Sequence, residues 1–203
     1  MIYVVLGAPG IGKGTRAKVI CDKLNIPHIS TGGLIRESTE IFEKYKSVLK
    51  AGKMIPDELM KEMLVQRLLK DDAKNGFVID GYPRDLKQVN DFEEILDKLG
   101  RKITKVFLFE APEEEVYNRS LNRRVCLACD KTYGWGKEQK APKVCEKCGR
   151  ELTIRIEDNP ETIKKRLEVY HENVDPIIAH YDNLGMLERI DAMDKPEKVL
   201  ESV

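Results

Sequence analysis

Unbroken apolar runs alternate along this chain with stretches whose apolar residues recur at helical spacing. Ile2–Leu6 is such a run, and Lys13–Leu24 follows with Ala17, Ile20 and Leu24 spaced for one buried helical stripe. A short strand is predicted over residues 27–30. Beyond Pro56-Asp57, Leu59, Met63, Leu64 and Leu68 share one side of a helix that Asn75-Gly76 is expected to end. Phe77-Val78-Ile79-Asp80 reads as a buried strand finishing on a carboxylate. Asp85 then opens a helix carrying Leu86, Val89, Phe92, Leu96 and Leu99, with Gly100 as its stop. Residues 106–109 form another apolar strand, and Pro112 with Glu113, Glu114 and Glu115 gives the next helix an acidic first turn. A long helix over residues 160–181, bent at Pro176, leads to a last strand over residues 187–190. This alternation predicts an α/β fold, a five-stranded parallel sheet flanked by helices.

Between residues 123 and 157 the apolar period vanishes, and Cys, Gly, Pro and charged residues take over. That stretch reads as a small inserted domain. Internal repeats and low-complexity tracts are absent from the sequence. The 203 residues suffice for one domain with modest insertions, and 41% apolar against 34% charged residues is a globular composition. No run approaches the roughly eighteen apolar residues of a membrane helix, so no membrane partner is expected. The start at Met1 has no basic leader and no small-residue cleavage site, which predicts a first strand rather than a signal peptide, and a cytoplasmic location. Thirty-five Lys+Arg balance thirty-five Asp+Glu, which argues against a bulk electrostatic grip on nucleic acid. An anionic ligand has to be met by a local cluster.

Gly7-Ala8-Pro9-Gly10-Ile11-Gly12-Lys13-Gly14-Thr15 directly follows the first strand and opens the first helix, the place of a phosphate-binding loop. Glycines let the backbone curl with its N–H groups inward, the helix start adds its positive end, and Lys13 reaches toward the outer phosphates. The alternative is a plain glycine turn; strand, loop, lysine and helix in order speak against it. The general motif has Ser or Thr right after the lysine, whereas here Gly14 intervenes before Thr15. Direct magnesium ligation by that hydroxyl is weakened, and magnesium carried on the phosphates and water is the alternative. Asp80, ending its strand beside this loop in a parallel sheet, is the candidate carboxylate for the ion's water shell, with a loop-capping role as its alternative.

Cys126-x-x-Cys129 and, fifteen residues on, Cys145-x-x-Cys148-Gly149 have the spacing of a four-thiolate zinc site. Four protein ligands leave no open position, so the metal is expected to be structural. Disulfides are the alternative pairing in an oxidising compartment, and iron fits the same sulfurs. The insertion is too short to bury much core of its own. Metal binding is therefore expected to supply folding free energy on the order of 10 kcal/mol. The fifth cysteine, Cys21, lies in the first helix and is expected to be a small buried hydrophobe.

The nonapeptide GAPGIGKGT, with Ile29-Ser30-Thr31-Gly32 and Asp80-Gly81-Tyr82-Pro83-Arg84, resembles the adenylate kinases. The likeness continues through Arg123-Arg124, residues 155–166 and the cysteine insertion, so it covers nearly the whole chain. It implies a zinc-lid nucleoside monophosphate kinase of the P-loop type. A core of residues 1–29, 60–121 and 159–203 would carry a helical flap, residues 30–59, that closes on the monophosphate. A lid, residues 122–158, would close on ATP. The implied reaction is reversible transfer of the γ-phosphoryl group of magnesium-ATP to AMP, giving two ADP, by a monomer serving adenine nucleotide homeostasis. Carried over residue by residue, the resemblance implies that Gly10, Ile11, Gly12, Lys13, Gly14 and Thr15 hold the ATP phosphates. Arg119 and Arg123 would face ATP, with Thr132 and Tyr133 in the lid. Thr31 and Arg36 would hold AMP, Lys53, Met54 and Ile55 would touch it, and Gly81, Tyr82, Pro83, Arg84 and Gln88 would complete its pocket. Arg155 and Arg166 would bind phosphates, AMP's included, as the lid shuts. Lys13, Arg84, Arg123, Arg155 and Arg166 form the implied catalytic set. Physics supports such a set independently, because phosphoryl transfer spreads negative charge over several oxygens and needs positioned cations more than an acid–base pair.

Three positions depart from the family pattern: Gly33 stands where many relatives have Asp, Glu157 replaces a usual Asp, and Ala192 sits near a usual glycine. A kinase for another nucleoside monophosphate is the rival within the class, and Thr31 with Gln88 favours adenine in the family pattern. A zinc-ribbon nucleic-acid binder driven by a phosphate-loop ATPase is the rival outside it, opposed by the zero net charge. His28, His171 and His180 do not cluster in sequence and are assigned neither a metal nor a base role. Trp135, in the insertion, receives no role.

Overall fold

The computed structural model describes residues 1–129, 131–134 and 142–203. The chain runs β1 (Ile2–Leu6), α1 (Lys13–Leu24), β2 (His28–Ser30), α2 (Thr31–Glu37), α3 (Thr39–Lys50), α4 (Asp57–Leu68), β3 (Phe77–Asp80) and α5 (Leu86–Lys98). It continues as β4 (Lys105–Glu110), α6 (Glu113–Asn122), β5 (Arg124–Val125), β6 (Thr132–Tyr133), α7 (Pro160–Asn183) and β7 (Leu187–Asp191). A parallel sheet in the order β2-β3-β1-β4-β7 is the α/β fold expected from the alternating pattern. Central β1 is buried at every residue, because a parallel sheet is covered on both faces. Strand alternation divides the core accordingly. Val4, Leu6, Phe77, Ile79, Val106 and Leu108 pack with Leu64, Leu68, Phe92 and Tyr181 on one face, while Tyr3, Val5, Val78, Phe107 and Phe109 pack with Ala17, Ile20, Val116 and Leu167 on the other.

Two segments differ from the periodicity reading. The helix after Pro56 ends at Leu68 instead of running to Asn75-Gly76; its fully buried positions are Met60, Leu64 and Leu68, with Leu59 and Met63 on the flanks. A short 3-10 turn, Asp71–Ala73, draws Ala73 fully into the core, and Arg101 donates to the carbonyls of Leu68 (3.4 Å) and Ala73 (3.2 Å). Those side-chain bonds take the place of further helical turns. The long last helix passes through Pro176 and continues to Asn183.

Residues 31–50, in which Ile41, Phe42, Tyr45 and Leu49 of the second segment recur at helical spacing, form α2 and α3. Ser30 and Ser38 cap them by accepting from the Gly33 and Ile41 amides at 3.3 and 3.4 Å. No residue of α3 is fully buried; Phe42, Tyr45 and Leu49 only lean on the core. In the insertion, β5 pairs antiparallel with β6, and Val125 also bridges to Thr153. Among the described residues no helix is long and apolar enough to cross a membrane. The carboxyl ends of β1, β2, β3, β4 and β7 point the same way, so the loops leaving them converge on one edge, where ligands of open α/β sheets bind.

Candidate active site

The loop after β1 is shaped by its glycines. Gly10 has φ +93, and a side chain there would overlap the Ser120 hydroxyl of α6. Gly12, at φ 99, starts α1 with no side-chain cap, which leaves the first amides of that helix for a ligand. Lys13 folds over the loop, its Nζ donating to the carbonyls of Gly7 (2.7 Å) and Ala8 (3.0 Å). A Cβ on Gly14 would come 3.3 Å from Asp80 Oδ2 and 3.7 Å from His28 Cε1. The residue that replaces the usual hydroxyl is thus where β2 and β3 crowd the helix start.

A cleft of ≈ 570 Å³ opens above this loop. Lys13 and six arginines, Arg36, Arg84, Arg119, Arg123, Arg155 and Arg166, line it together with Lys18, Lys53, Lys131 and Lys147, against two carboxylates, Asp80 and Glu157, among the described residues. In a chain of zero net charge such a concentration gives the cleft a positive potential. Its cost is written on the cations. Burial, then the nearby Arg84, Arg166 and Arg123, bring the Lys13 pKa down to about 8, although Asp80 pulls the other way. Burial and Arg123 bring Arg166 down to about 10. The carboxylates respond in the opposite sense. Burial alone would raise Asp80, but His28, 3.7 Å away, and Lys13 outweigh it and hold the carboxyl below its usual range. Glu157 is likewise held low, with Arg166 and Arg155 overriding burial. Arg123 is the exception among the cations: burial opposes its charge, yet two hydrogen bonds to Asp158, one of 2.7 Å from Nε to Oδ2, raise its pKa. That pair ties the first residues of the insertion to its last.

On the side of β2 and β3, Thr31 is 1% exposed and donates through Oγ1 to the Gly81 carbonyl at 2.9 Å. The Arg84 Nε also donates to that carbonyl, at 2.7 Å. The Gln88 side chain accepts from the Arg84 amide (2.9 Å) and donates to Asp57 (2.7 Å), so the Gly81–Arg84 turn, α5 and the start of α4 are joined. Lys53, Met54 and Ile55 complete this wall. Of the nucleotide-site residues singled out from the sequence, all but Ile11 and Tyr133 line this cleft. Ile11 packs its side chain into the core beside Phe109, leaving only its backbone to the loop.

A family model described as adenylate kinase matches residues 5–186. The chain belongs to the adenylate kinase family. It is therefore a phosphotransferase by family, and its relatives match along their length. An adenylate kinase of Agathobacter rectalis is 40% identical over all of this chain and 97% of its own length. One of Caldicellulosiruptor saccharolyticus is 42% identical over 92% of this chain and 89% of its own length. One of Thermosipho africanus is 40% identical over all of this chain and 97% of its own length.

In this family member the insertion closes around four sulfurs. The Sγ atoms of Cys126, Cys129, Cys145 and Cys148 all lie within 4.8 Å of one another, with close pairs at 3.3, 3.5 and 3.8 Å. A disulfide requires about 2 Å, whereas thiolates about 2.3 Å from one tetrahedral ion sit about 3.8 Å apart. Backbone amides of Ala128 and Cys129 hydrogen-bond the Cys126 sulfur, and those of Lys147 and Cys148 bond Cys145, so the two halves repeat one turn. The donor set and its spacing fit a structural zinc ion. Tyr133 belongs to this cluster: it is 8% exposed, its hydroxyl donates to Cys145 Sγ at 3.3 Å and accepts from the Glu146 amide at 2.9 Å. Its neighbour Thr132 points the other way, into the cleft, as alternation along β6 requires. Trp135 lies outside the described residues. Three residues that contribute here carried no assigned role in the sequence: His28 beside Asp80, Asp158 on Arg123, and Asp57 on Gln88. Each works through a partner distant in the chain, so no local spacing announces it.

Proposed function

We propose that this chain acts as an adenylate kinase, transferring the γ-phosphoryl group of magnesium-ATP reversibly to AMP, with two ADP as products and adenine nucleotide balance as its service. One observation carries the reading: an electrically neutral chain concentrates Lys13 and six arginines around one cleft. Two nucleotides meeting through their phosphates are the ligand such a site suits. The backbone of Gly10, Ile11, Gly12, Gly14 and Thr15, with Lys13, takes the ATP phosphates, and Arg119, Arg123 and Thr132 face ATP. Thr31, Arg36, residues 53–55, Gly81, Tyr82, Pro83, Arg84 and Gln88 take AMP. An AMP phosphate oxygen attacks the γ-phosphorus, the bond to the β,γ-bridging oxygen breaks, and the electron pair leaves with ADP. The attacking oxygen is already an anion, so no base is needed. Lys13, Arg84, Arg123, Arg155 and Arg166 stabilise the charge spread over the transferring group.

When bound, magnesium neutralises charge on the β- and γ-phosphates. Asp80 is the carboxylate that reaches toward its water shell; Gly33 offers none. Residues 1–29, 60–121 and 159–203 serve as core, residues 30–59 as a flap over AMP, and residues 122–158 as a zinc-bearing lid over ATP. Closure of both excludes water, whose attack on ATP is the competing reaction. Cysteines held as separate thiols suit a reducing compartment such as the cytoplasm. The test is an assay of ADP formed from ATP with each nucleoside monophosphate in turn, with and without magnesium. AMP is expected to be the preferred acceptor and magnesium to be required; no ADP formed with AMP, or a clear preference for another monophosphate, overturns the reading.

A further inference from the structure

Arg16, on the first turns of α1, is 1% exposed and is the largest of the fully buried side chains. Its Nη2 donates to two carbonyls of the turn after β7, those of Ala192 (2.8 Å) and Asp194 (2.8 Å). Its Nη1 reaches the Ile11 carbonyl of the phosphate loop at 3.5 Å, and its guanidinium lies 5.3 Å from the Phe109 ring centroid. Arg119, from α6, shares two of these three carbonyls: Nη1 donates to Ala192 at 2.9 Å and reaches Ile11 at 3.4 Å. Glu115 accepts from Arg119 Nε at 2.9 Å, and Met193 Sδ lies 3.5 Å from its Nη2. Both lone pairs of the Ala192 carbonyl are therefore taken, one by each guanidinium. Like charges so close oppose each other: burial, then Arg119, lower the Arg16 pKa.

Of these two arginines, Arg119 lines the cleft. Topology says which end of the cleft it serves. The phosphate loop leaves central β1, the flap side lies beyond β3 and β2, and Arg119 and the turn at residues 192–194 follow β4 and β7 on the opposite side. With AMP against the flap, as proposed above, the nucleoside of ATP runs toward Arg119 and that turn. We infer that Arg16 is a positioning residue: by holding residues 192–194 from beneath, and through the shared Ala192 carbonyl the plane of the Arg119 guanidinium, it sets how tightly the site takes ATP and how well it selects the base. Without Arg16, the Asp194 carbonyl and one lone pair of Ala192 lose their partner in a buried place, and Arg119 loses the fixed acceptor that orients its plane.

The test compares the native enzyme with Arg16→Met, Arg16→Gln and Arg16→Lys in KM for ATP, KM for AMP, kcat and the ATP-to-GTP preference. Arg16→Met is expected to raise KM for ATP about tenfold and narrow the ATP-to-GTP preference, with KM for AMP within about twofold of native. Arg16→Lys, which keeps a charged donor, is expected to recover part of the loss. An unchanged KM for ATP, or KM values for ATP and AMP that rise in step, overturns the inference, because a merely structural role loosens both sites. If Arg16→Met does not fold, the same split read on Arg16→Gln and Arg16→Lys decides. A native enzyme that forms no ADP from ATP and AMP overturns the proposed function, whereas an active native enzyme with an unmoved Arg16→Met overturns only this inference.

Discussion

Around the sheet, Phe77, Phe92, Phe107, Val106 and Leu64 are fully enclosed by neighbours from distant parts of the chain, whereas among its described residues the insertion buries just Val125, Cys126, Tyr133, Cys145 and Asp158, with Cys129 and Leu152 at the margin. The first region is ordered by apolar area removed from water, roughly 25 cal/mol for each Å². The second has too little such area and converges four sulfurs instead. The cysteines themselves mark the contrast. Burial pushes the Cys21 thiol up to about 12, so it behaves as an inert hydrophobe, while the other four face one another. A metal cross-link lets a short segment with almost no core keep one shape.

The strongest break between the two regions is expected at Lys13. Lys13→Met should cut turnover at least about a hundredfold, the scale for loss of a preorganised charge donor, while calorimetry still shows the core transition and zinc analysis an occupied lid. Next comes the metal. Stripping it with a strong chelator should lower ATP turnover about 10- to 100-fold and expose four thiols to alkylation, with Cys21 reacting only when the core melts. A native protein that contains no bound metal would sink this half of the comparison. Arg84→Lys keeps the charge but loses the planar fork, and is expected to lower turnover more than about tenfold. Near-normal turnover removes Arg84 from the catalytic set.

A subtler test uses pH. The folded pKa of Lys13, about 8, lies below its ordinary 10.5, so between those values the unfolded chain holds a proton that the folded one has released. Stability therefore rises with pH through that window, and the burden of the buried ammonium is fully present below about pH 8. The melting temperature of the native protein should gain on that of Lys13→Met between pH 8 and 10, and kcat/KM for ATP should fall above about pH 8 only in the native enzyme. Parallel pH profiles would remove the shift. The smallest effect is at Cys21, where Cys21→Ala should cost about 1 kcal/mol of core stability and leave turnover and zinc content alone.

Much of this was legible from the chain itself. The five strands and the capped helices follow from apolar period, the phosphate loop from its glycines and lysine beside a strand, and the sulfur site from two spacers of two residues. The misreadings have local causes. The helix from Asp57 stops at Leu68 because Ala73 is drawn into the core and Arg101 takes the freed carbonyls, and Arg101 is far along the chain. The bounds of α3 were not singled out within the helical flap, although Ile41, Phe42, Tyr45 and Leu49 recur at helical spacing and lean half-buried on the core. The Tyr133 hydroxyl sits on Cys145 while Thr132 lines the cleft, since neighbours in a strand face opposite ways and nothing in a two-residue strand says which face is which.

The amino-acid sequence determined the alternation of strand and helix, the glycine loop that bares its amides before Lys13, and the four-sulfur site, because backbone sterics, side-chain period and ligand spacing act within a few residues. Only the tertiary structure decided that six arginines scattered from Arg36 to Arg166 face one cleft, that His28 stands against Asp80, that Asp158 clasps Arg123, and that Arg16 and Arg119 share the carbonyl of Ala192. A guanidinium group has the same intrinsic chemistry wherever it falls in a chain. What it does depends on which carbonyl, carboxylate or second cation the fold brings within a few ångströms, and those partners come from the far side of the molecule.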